Sequence, residues 1–275
     1  MSIRQTRIRT GNGTPVWVSG TGPTLILLHG VLVDHRMWSR QVEALSAHFR
    51  VCCYDMLGHG EAPDPPGDRV LGDFVDQAHE VVRELSEEGP PVFGGFSMGG
   101  LIAQAFAVKH HADLGGLILM NTVHDRSQEE AARVRARFEG NVTRGVENAV
   151  ASGTRRWFTP RDHEIHAEAI RRTQDLMRDG DFAAKRKAHG VFVSSDAEVT
   201  GKLGVVSCPA LVMTGERDNG STPEMARKMA DALPDAELHI LNGQHHMMPV
   251  LDADRVNAII AEFISRCAAT VDGGT

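Results

Sequence analysis

Gly94-Gly95-Phe96-Ser97-Met98-Gly99-Gly100 is the stretch on which the reading of this chain turns. An apolar run at residues 91–95 leads into it, and a helical pattern at 98–109 leaves it, with Leu101, Ile102, Ala105 and Phe106 on one face. A serine between glycines two positions away on either side, at a strand-to-helix turn, matches the G-x-S-x-G pattern of an exposed nucleophile. Only very small residues at those flanking positions let the chain approach itself so closely. The serine then sits at a helix N-terminus, whose partial positive charge favours an oxyanion.

Outward from that turn, short apolar runs alternate with helical stretches. Strands are predicted at residues 24–28, 50–54, 91–95, 116–121, 210–214 and 237–241. Helices are predicted at 38–49, 71–85, 98–109, 223–233 and 252–265, with apolar residues three and four apart. This is the pattern of an α/β fold, a mostly parallel central sheet flanked by helices. Near the N-terminus, residues 4–10 and 15–19 read as an antiparallel hairpin around Gly11-Asn12-Gly13. Between 122 and 203 the strand signal stops, and four amphipathic helical pieces centre near Arg133, Val146, Ala169 and Ala184. The expected organisation is a core of residues 1–121 and 204–275 with a helical cap, or lid, inserted at 122–203.

A serine hydroxyl needs a base, normally a histidine held in one tautomer by a carboxylate. On a sheet of this kind those partners stand just beyond the C-terminal ends of later strands. Gly215-Glu216-Arg217-Asp218 follows one such strand, offering Glu216 or Asp218. Asn242-Gly243-Gln244-His245-His246 follows the next, offering His245 or His246. The other twelve histidines read as surface or capping residues.

Five pieces in order resemble the α/β-hydrolase superfamily over nearly the whole chain. They are Leu27-Leu28-His29-Gly30, Asp55-Met56-Leu57-Gly58-His59-Gly60, the Ser97 turn, Gly215-Glu216-Arg217-Asp218 and His246-Met247-Met248-Pro249. The resemblance implies the α/β-hydrolase fold and a triad of Ser97, Asp218 and His246. It also implies an oxyanion hole from the backbone N–H groups of Val31 and Met98. Within the superfamily, Arg36-Met37-Trp38 and Arg156-Trp157-Phe158-Thr159-Pro160 look most like the 3-oxoadipate enol-lactonase and carboxylesterase group. That implies an ester or lactone substrate, no cofactor, no metal and a pocket partly roofed by Trp157. The chain departs from the pattern at His245, where glycine is usual, and at Leu251, where an acidic residue is common.

Met98, Trp38, Phe158, Met177 and Phe192 join Trp157 as candidates to line an apolar acyl pocket, with simple packing of cap on body as the alternative for most of them. Residues 122–203 carry 15 Lys and Arg against 13 Asp and Glu, a net of +2; the remainder carries 14 against 23, a net of −9. That excess would steer an anionic substrate through Arg155 and Arg156, or simply solvate the helices. A formal charge of −7 over 275 residues argues against nucleic acid as a partner. No apolar run reaches the length of a membrane span. The first dozen residues are polar, and Cys52, Cys53, Cys208 and Cys267 form no redox or zinc pattern, so a cytoplasmic location with buried free thiols is expected. A homo-oligomer is left open. A serine at position 97 discriminates against alkyl-enzyme chemistry, which needs aspartate there. Carbon–carbon bond hydrolysis and cofactor-free perhydrolysis use the same triad, and a non-catalytic ligand receptor on this fold is the reading from another class.

Overall fold

The computed structural model describes residues 5–272. Eight strands form one sheet: β1 Gln5–Arg9, β2 Pro15–Ser19, β3 Thr24–Leu28, β4 Arg50–Tyr54, β5 Val92–Phe96, β6 Gly116–Met120, β7 Ala210–Gly215 and β8 Ala236–Leu241. Their spatial order is β1-β2-β4-β3-β5-β6-β7-β8. β1 and β2 run antiparallel as a hairpin, β2 is antiparallel to β4, and every later pair is parallel. The predicted hairpin began at Arg4, which lies outside the described residues. Every residue of β3, β5 and β6 is buried, as continuous apolar runs in a sheet covered on both faces must be.

The helices are α1 Ser39–Leu45, α2 Leu71–Leu85, α3 Met98–His110, α4 Gln128–Arg144, α5 Val146–Trp157, α6 Pro160–Ile165, α7 Ala167–Arg178, α8 Phe182–Ser194, α9 Pro223–Ala232, α10 Met248–Leu251 and α11 Ala253–Asp272. Phe93 meets Phe106 of α3 edge to face at 5.4 Å. Gly116, in register with Val92, faces Phe263 and Cys267 of α11. Successive residues Val92 and Phe93 point to opposite faces, so α3 and α11 cover the two sides of the sheet.

Five helices, α4–α8, lie between β6 and β7, one more than the periodicity predicts. The extra one, α6, is too short to show a helical period. Its start is written instead in the cap: Thr159 Oγ1 accepts from Asp162 N at 3.1 Å, Asp162 accepts from Thr159 N at 2.7 Å, and Pro160 opens the first turn. The predicted helix 38–49 also resolves differently, into a 3-10 turn at His35–Trp38 followed by the shorter α1. All four cysteines are free and buried.

Two histidines expected at the surface are instead fully buried behind the loop that follows β3. The His29 ring donates from Nδ1 to Gly30 O at 2.7 Å and accepts at Nε2 from Met56 N at 3.0 Å. His59 accepts at Nε2 from Leu32 N at 3.1 Å. Both rings serve as acceptors, so both must be neutral. Burial lowers both pKa values, that of His59 well below the usual 6.5 with the neighbouring His29 and Lys185 adding to the effect. Each sits inside a motif already quoted from the sequence, and its adjacency to Gly30 or Gly60 was the available signal for an internal role. Lys185 of α8, itself buried, donates to Leu32 O at 3.1 Å and to Leu176 O at 2.8 Å. Arg36 bridges Asp34 at 2.6 Å and Asp179 at 2.5 Å. The loop after β3 is thereby tied both to the β4 loop and to the α4–α8 segment.

Two outcomes are predicted. A histidine with a depressed folded pKa binds fewer protons in the folded chain than in the unfolded one at pH values between the two, so stability falls as pH drops through 6.5. His59→Gln keeps an acceptor for Leu32 N–H without a titrating group, and its melting temperature should fall less than that of wild type between pH 7.5 and 5.5. A Cβ on Gly99 would stand 2.4 Å from Leu28 O, whereas one on Gly72 meets only Val70 at 3.8 Å. Denaturant titration should give a loss of about 3 kcal/mol or more for Gly99→Ala and a change of about 0.5 kcal/mol or less, in the stabilising direction, for Gly72→Ala.

Candidate active site

Ser97 stands between β5 and α3 with φ 54° and ψ −113°, a conformation that L residues rarely adopt. Its backbone N–H donates to Met120 O at 2.9 Å, and its carbonyl accepts from Thr122 Oγ1 at 2.7 Å. A Cβ on Gly95 would lie 2.1 Å from Gly99 O. The two flanking glycines are therefore required by contact. The turn presents Ser97 to a cavity that it shares with His246, although the residue as a whole is only 5% exposed.

Asp218 and His246 lie on the loops after β7 and β8, which touch where Gly215 meets the carbonyls of Gln244 and His245. His246 Nδ1 stands 2.7 Å from Asp218 Oδ2. The same carboxylate accepts from Asn121 Nδ2 at 2.9 Å, Gly220 N at 2.8 Å and Ser221 N at 3.0 Å. Burial works to raise the pKa of Asp218, but the His246 contact and these donors outweigh it and hold the carboxyl below its usual value. An ionised Asp218 fixes the proton of His246 on Nδ1, leaving Nε2 as the basic atom. Glu216 instead accepts from Gly243 N at 2.8 Å and ties the two loops together. His245 contributes its carbonyl to Asn121 at 3.4 Å. Asn121 and Thr122 were absent from the sequence candidates; their place directly after β6, at the same edge of the sheet as Ser97 and Asp218, was the signal for them.

In the loop after β3, His29 Nδ1 holds the Gly30 carbonyl. In a trans peptide the N–H of the next residue, Val31, then points the opposite way. Met98 opens α3, so its N–H is one of the helix's unpaired first-turn donors.

The cavity measures about 40 Å³, room for roughly three waters. Among the sequence candidates, Val31, Ser97, Arg156, Trp157, Phe192 and His246 line it. The Trp157 ring stacks on that of His246, with centroids 5.7 Å apart. Trp38, Phe158 and Met177 do not line it, which corrects the expectation of an acyl pocket built from them. Trp38 is wholly buried edge-on to Phe96 at 6.3 Å, Phe158 packs toward His163, and Met177 lies behind Gly153. The Met98 side chain is buried in the core as well.

Polar groups take the place of the missing hydrophobics: Arg137, Asn141, Ser152, Arg156 and His189, from α4, α5 and α8. Arg155 and Arg156 are both exposed, but only Arg156 lines the cavity. Two groups of side chains are spaced closely enough to share a metal ion, His79 with His110 and Asp113, and Asp34 with His35 and Asp55; neither lines the cavity. Among the described residues no helix is long and apolar enough to cross a membrane.

Comparison with known proteins follows the same lines. The chain is 29% identical over 238 residues to the (E)-2-((N-methylformamido)methylene)succinate hydrolase of Acinetobacter baylyi, covering 86% of this chain and 89% of that one. It is 27% identical over 240 residues to 3-oxoadipate enol-lactonase 1 of the same organism, covering 86% and 88%. A malate-bound thermophilic esterase from Thermogutta terrifontis superposes with a TM-score of 0.79 at 28% identity, over 96% of this chain and 99% of that one. The profile of the alpha/beta hydrolase family matches residues 25–259. With its strand order and serine turn inside that match, the chain belongs to the α/β hydrolase family.

Proposed function

We propose that this protein is a serine hydrolase that cleaves a carboxylic ester or lactone through an acyl-enzyme on Ser97. The observation that carries the reading is the 2.7 Å contact of Asp218 with His246 Nδ1, in a cavity that His246 shares with a serine on a strained turn. Similarity to an enol-lactonase and an esterase supports the ester or lactone class.

In the proposed reaction His246 Nε2 accepts the hydroxyl proton as Ser97 Oγ attacks the carbonyl carbon. The backbone N–H groups of Val31 and Met98 hold the oxyanion, a contribution of about 3 kcal/mol for each donor. His246 then returns the proton to the leaving alkoxide, and water repeats the cycle to release the acid. Among the described residues no hydrogen bond joins Ser97 Oγ to His246. On this reading that contact closes as the substrate complex assembles.

Residues 122–203 act as the cap. Through Trp157 they shield the imidazole from water, and a cavity of about 40 Å³ means that any acyl group of more than a few atoms must displace them. The Arg36–Asp179 pair and the Lys185 contacts are the ties that such a displacement strains.

Ser97→Ala should lower kcat on short phenyl esters by at least about a thousandfold, measured as phenol release; equal rates in both proteins would remove Ser97 from the mechanism. Asp218→Asn makes a sharper test. An amide there meets the Gly220 and Ser221 N–H groups with its oxygen and turns its NH2 toward His246 Nδ1. The imidazole must then carry its proton on Nε2 and cannot act as base. The expected loss in kcat is about ten-thousandfold with KM little changed, and a loss under tenfold would contradict the tautomer argument.

A further inference from the structure

Arg137 of α4 and Arg156 of α5 both line the cavity that holds Ser97 and His246. Neither makes an ion pair or hydrogen bond among the described residues. Three other cations, of the loop after β3 and of residues 122–203, are paired. Arg126 pairs with Asp196 at 2.7 Å, Arg36 with Asp34 and Asp179, and Lys185 donates to two carbonyls. The helices offer the two arginines nothing local either: four residues before and after Arg137 stand Arg133 and Asn141, and around Arg156 stand Ser152 and Pro160.

Arg156 packs its guanidinium over the Trp157 ring at 5.7 Å. Its Nη1 comes within 3.5 Å of where a Cβ on Gly220 would stand, a point equally far from Asp218 Oδ1. The group thus reaches the rim of the catalytic loop. The Asp218 carboxylate attracts this guanidinium through space but makes no direct ion pair with it, its oxygens being engaged by His246, Asn121 and two backbone donors. His189 of α8 completes the cluster with an Nδ1 atom that is buried and without a partner.

Desolvation and positive neighbours lower the pKa of all three groups, the neighbours acting on Arg137 being Arg133 and Arg126. Partial desolvation among the cap helices, with Arg137 adding to it and Asp218 opposing it, brings Arg156 down to about 10 although the residue still reaches solvent, and burial with both arginines brings His189 down to about 3. His189 is therefore a neutral ring between two cations. Arg137 is half-buried and Arg156 is exposed although it lines the cavity, so water still reaches the pair. What sets it apart is that two guanidinium groups from different helices converge on one cavity with no acid among the described residues at ion-pairing distance, an arrangement suited to an anion.

We propose that Arg137 and Arg156, with His189 beside them, form a subsite for a free carboxylate carried by the substrate away from its scissile carbonyl. The planar guanidinium fork matches a carboxylate in two places. Because the arginines come from two different cap helices, an anion held by both joins α4 to α5 over the acyl group. The assignment rests on the Ser97 acyl-enzyme reading only for the identity of the bond that is cut; the anion site itself is a matter of binding.

The test uses two esters with one leaving group: the monophenyl ester of glutaric acid and its uncharged counterpart, phenyl methyl glutarate. Wild type should favour the acid in kcat/KM by at least about tenfold. That preference should shrink by about tenfold in Arg137→Gln or Arg156→Gln, approach unity in the double variant, and be partly restored in Arg156→Lys. A preference near unity in wild type, or one that both substitutions leave intact, would overturn the subsite while leaving Ser97 in place. Calorimetry with glutarate on Ser97→Ala reads binding without turnover. Glutarate should bind more tightly than inorganic phosphate, and either arginine substitution added to that variant should weaken it. Glutarate binding that ignores the arginines, or phosphate binding more tightly than glutarate, would contradict the carboxylate assignment even if the esterase reading holds. Equal ester cleavage by Ser97→Ala and wild type, with glutarate binding intact, would sink the acyl-enzyme reading and spare the subsite.

Discussion

A serine held at φ 54° depends on its neighbours having no side chains. Gly95 and Gly99 approach within a distance that any Cβ would make impossible, and Gly99 also lies against the carbonyls of Leu28 and His29 at the end of β3. The serine turn and the loop after β3 are thus one packed object. Around it the structure supplies opposing restraints: Met120 and Thr122 hold the backbone of Ser97 from the β6 side, and the His29 ring fixes the peptide that precedes Val31. The strain at one residue is sustained because two adjacent strands and a helix determine its position.

Charge is distributed around that object by burial. His29 and His59 are kept neutral so that each can accept a backbone N–H, whereas Asp218 is kept ionised by four donors despite its burial. Lys185 is brought down to about 8 by its burial, yet it still reaches from α8 to the carbonyl of Leu32. The loop proposed to bind the oxyanion is accordingly supported on one side by neutral rings and on another by Lys185 of α8. On the proposed reading, in which residues 122–203 are displaced by substrate, the displacement would be felt at Leu32, whose own φ of 71° is among the few positive values outside glycine.

Most of the sheet was legible in the sequence because buried parallel strands are apolar on both faces, and runs such as Leu25–Leu28 have no other explanation in a chain of this composition. The serine turn, the Asp218 loop and the His246 loop were legible because strand ends and glycines mark them. The cavity was not. Trp38, Phe158 and Met177 are as apolar as a pocket lining must be, but nothing in a linear pattern separates a residue facing a cavity from one facing the core. The same degeneracy hid Arg137. It falls four residues after Arg133, which pairs with Glu129 on the helix surface, and only the absence of an acid at either neighbouring turn set it apart. His29 and His59 were misjudged because imidazoles are common at surfaces, and their acceptor role depends on a fold that brings residues 27 positions apart into contact.

The account stands on Ser97 being a nucleophile made reactive by His246, and covalent trapping reads this without knowledge of the substrate. A fluorophosphonate loses fluoride as a serine oxygen bonds to phosphorus, and peptide mass spectrometry locates the adduct. One phosphonyl group per chain on Ser97, formed at least about a thousandfold more slowly in His246→Ala, is the predicted result. Modification of another residue, or labelling of Ser97 at the same rate without the imidazole, would contradict it.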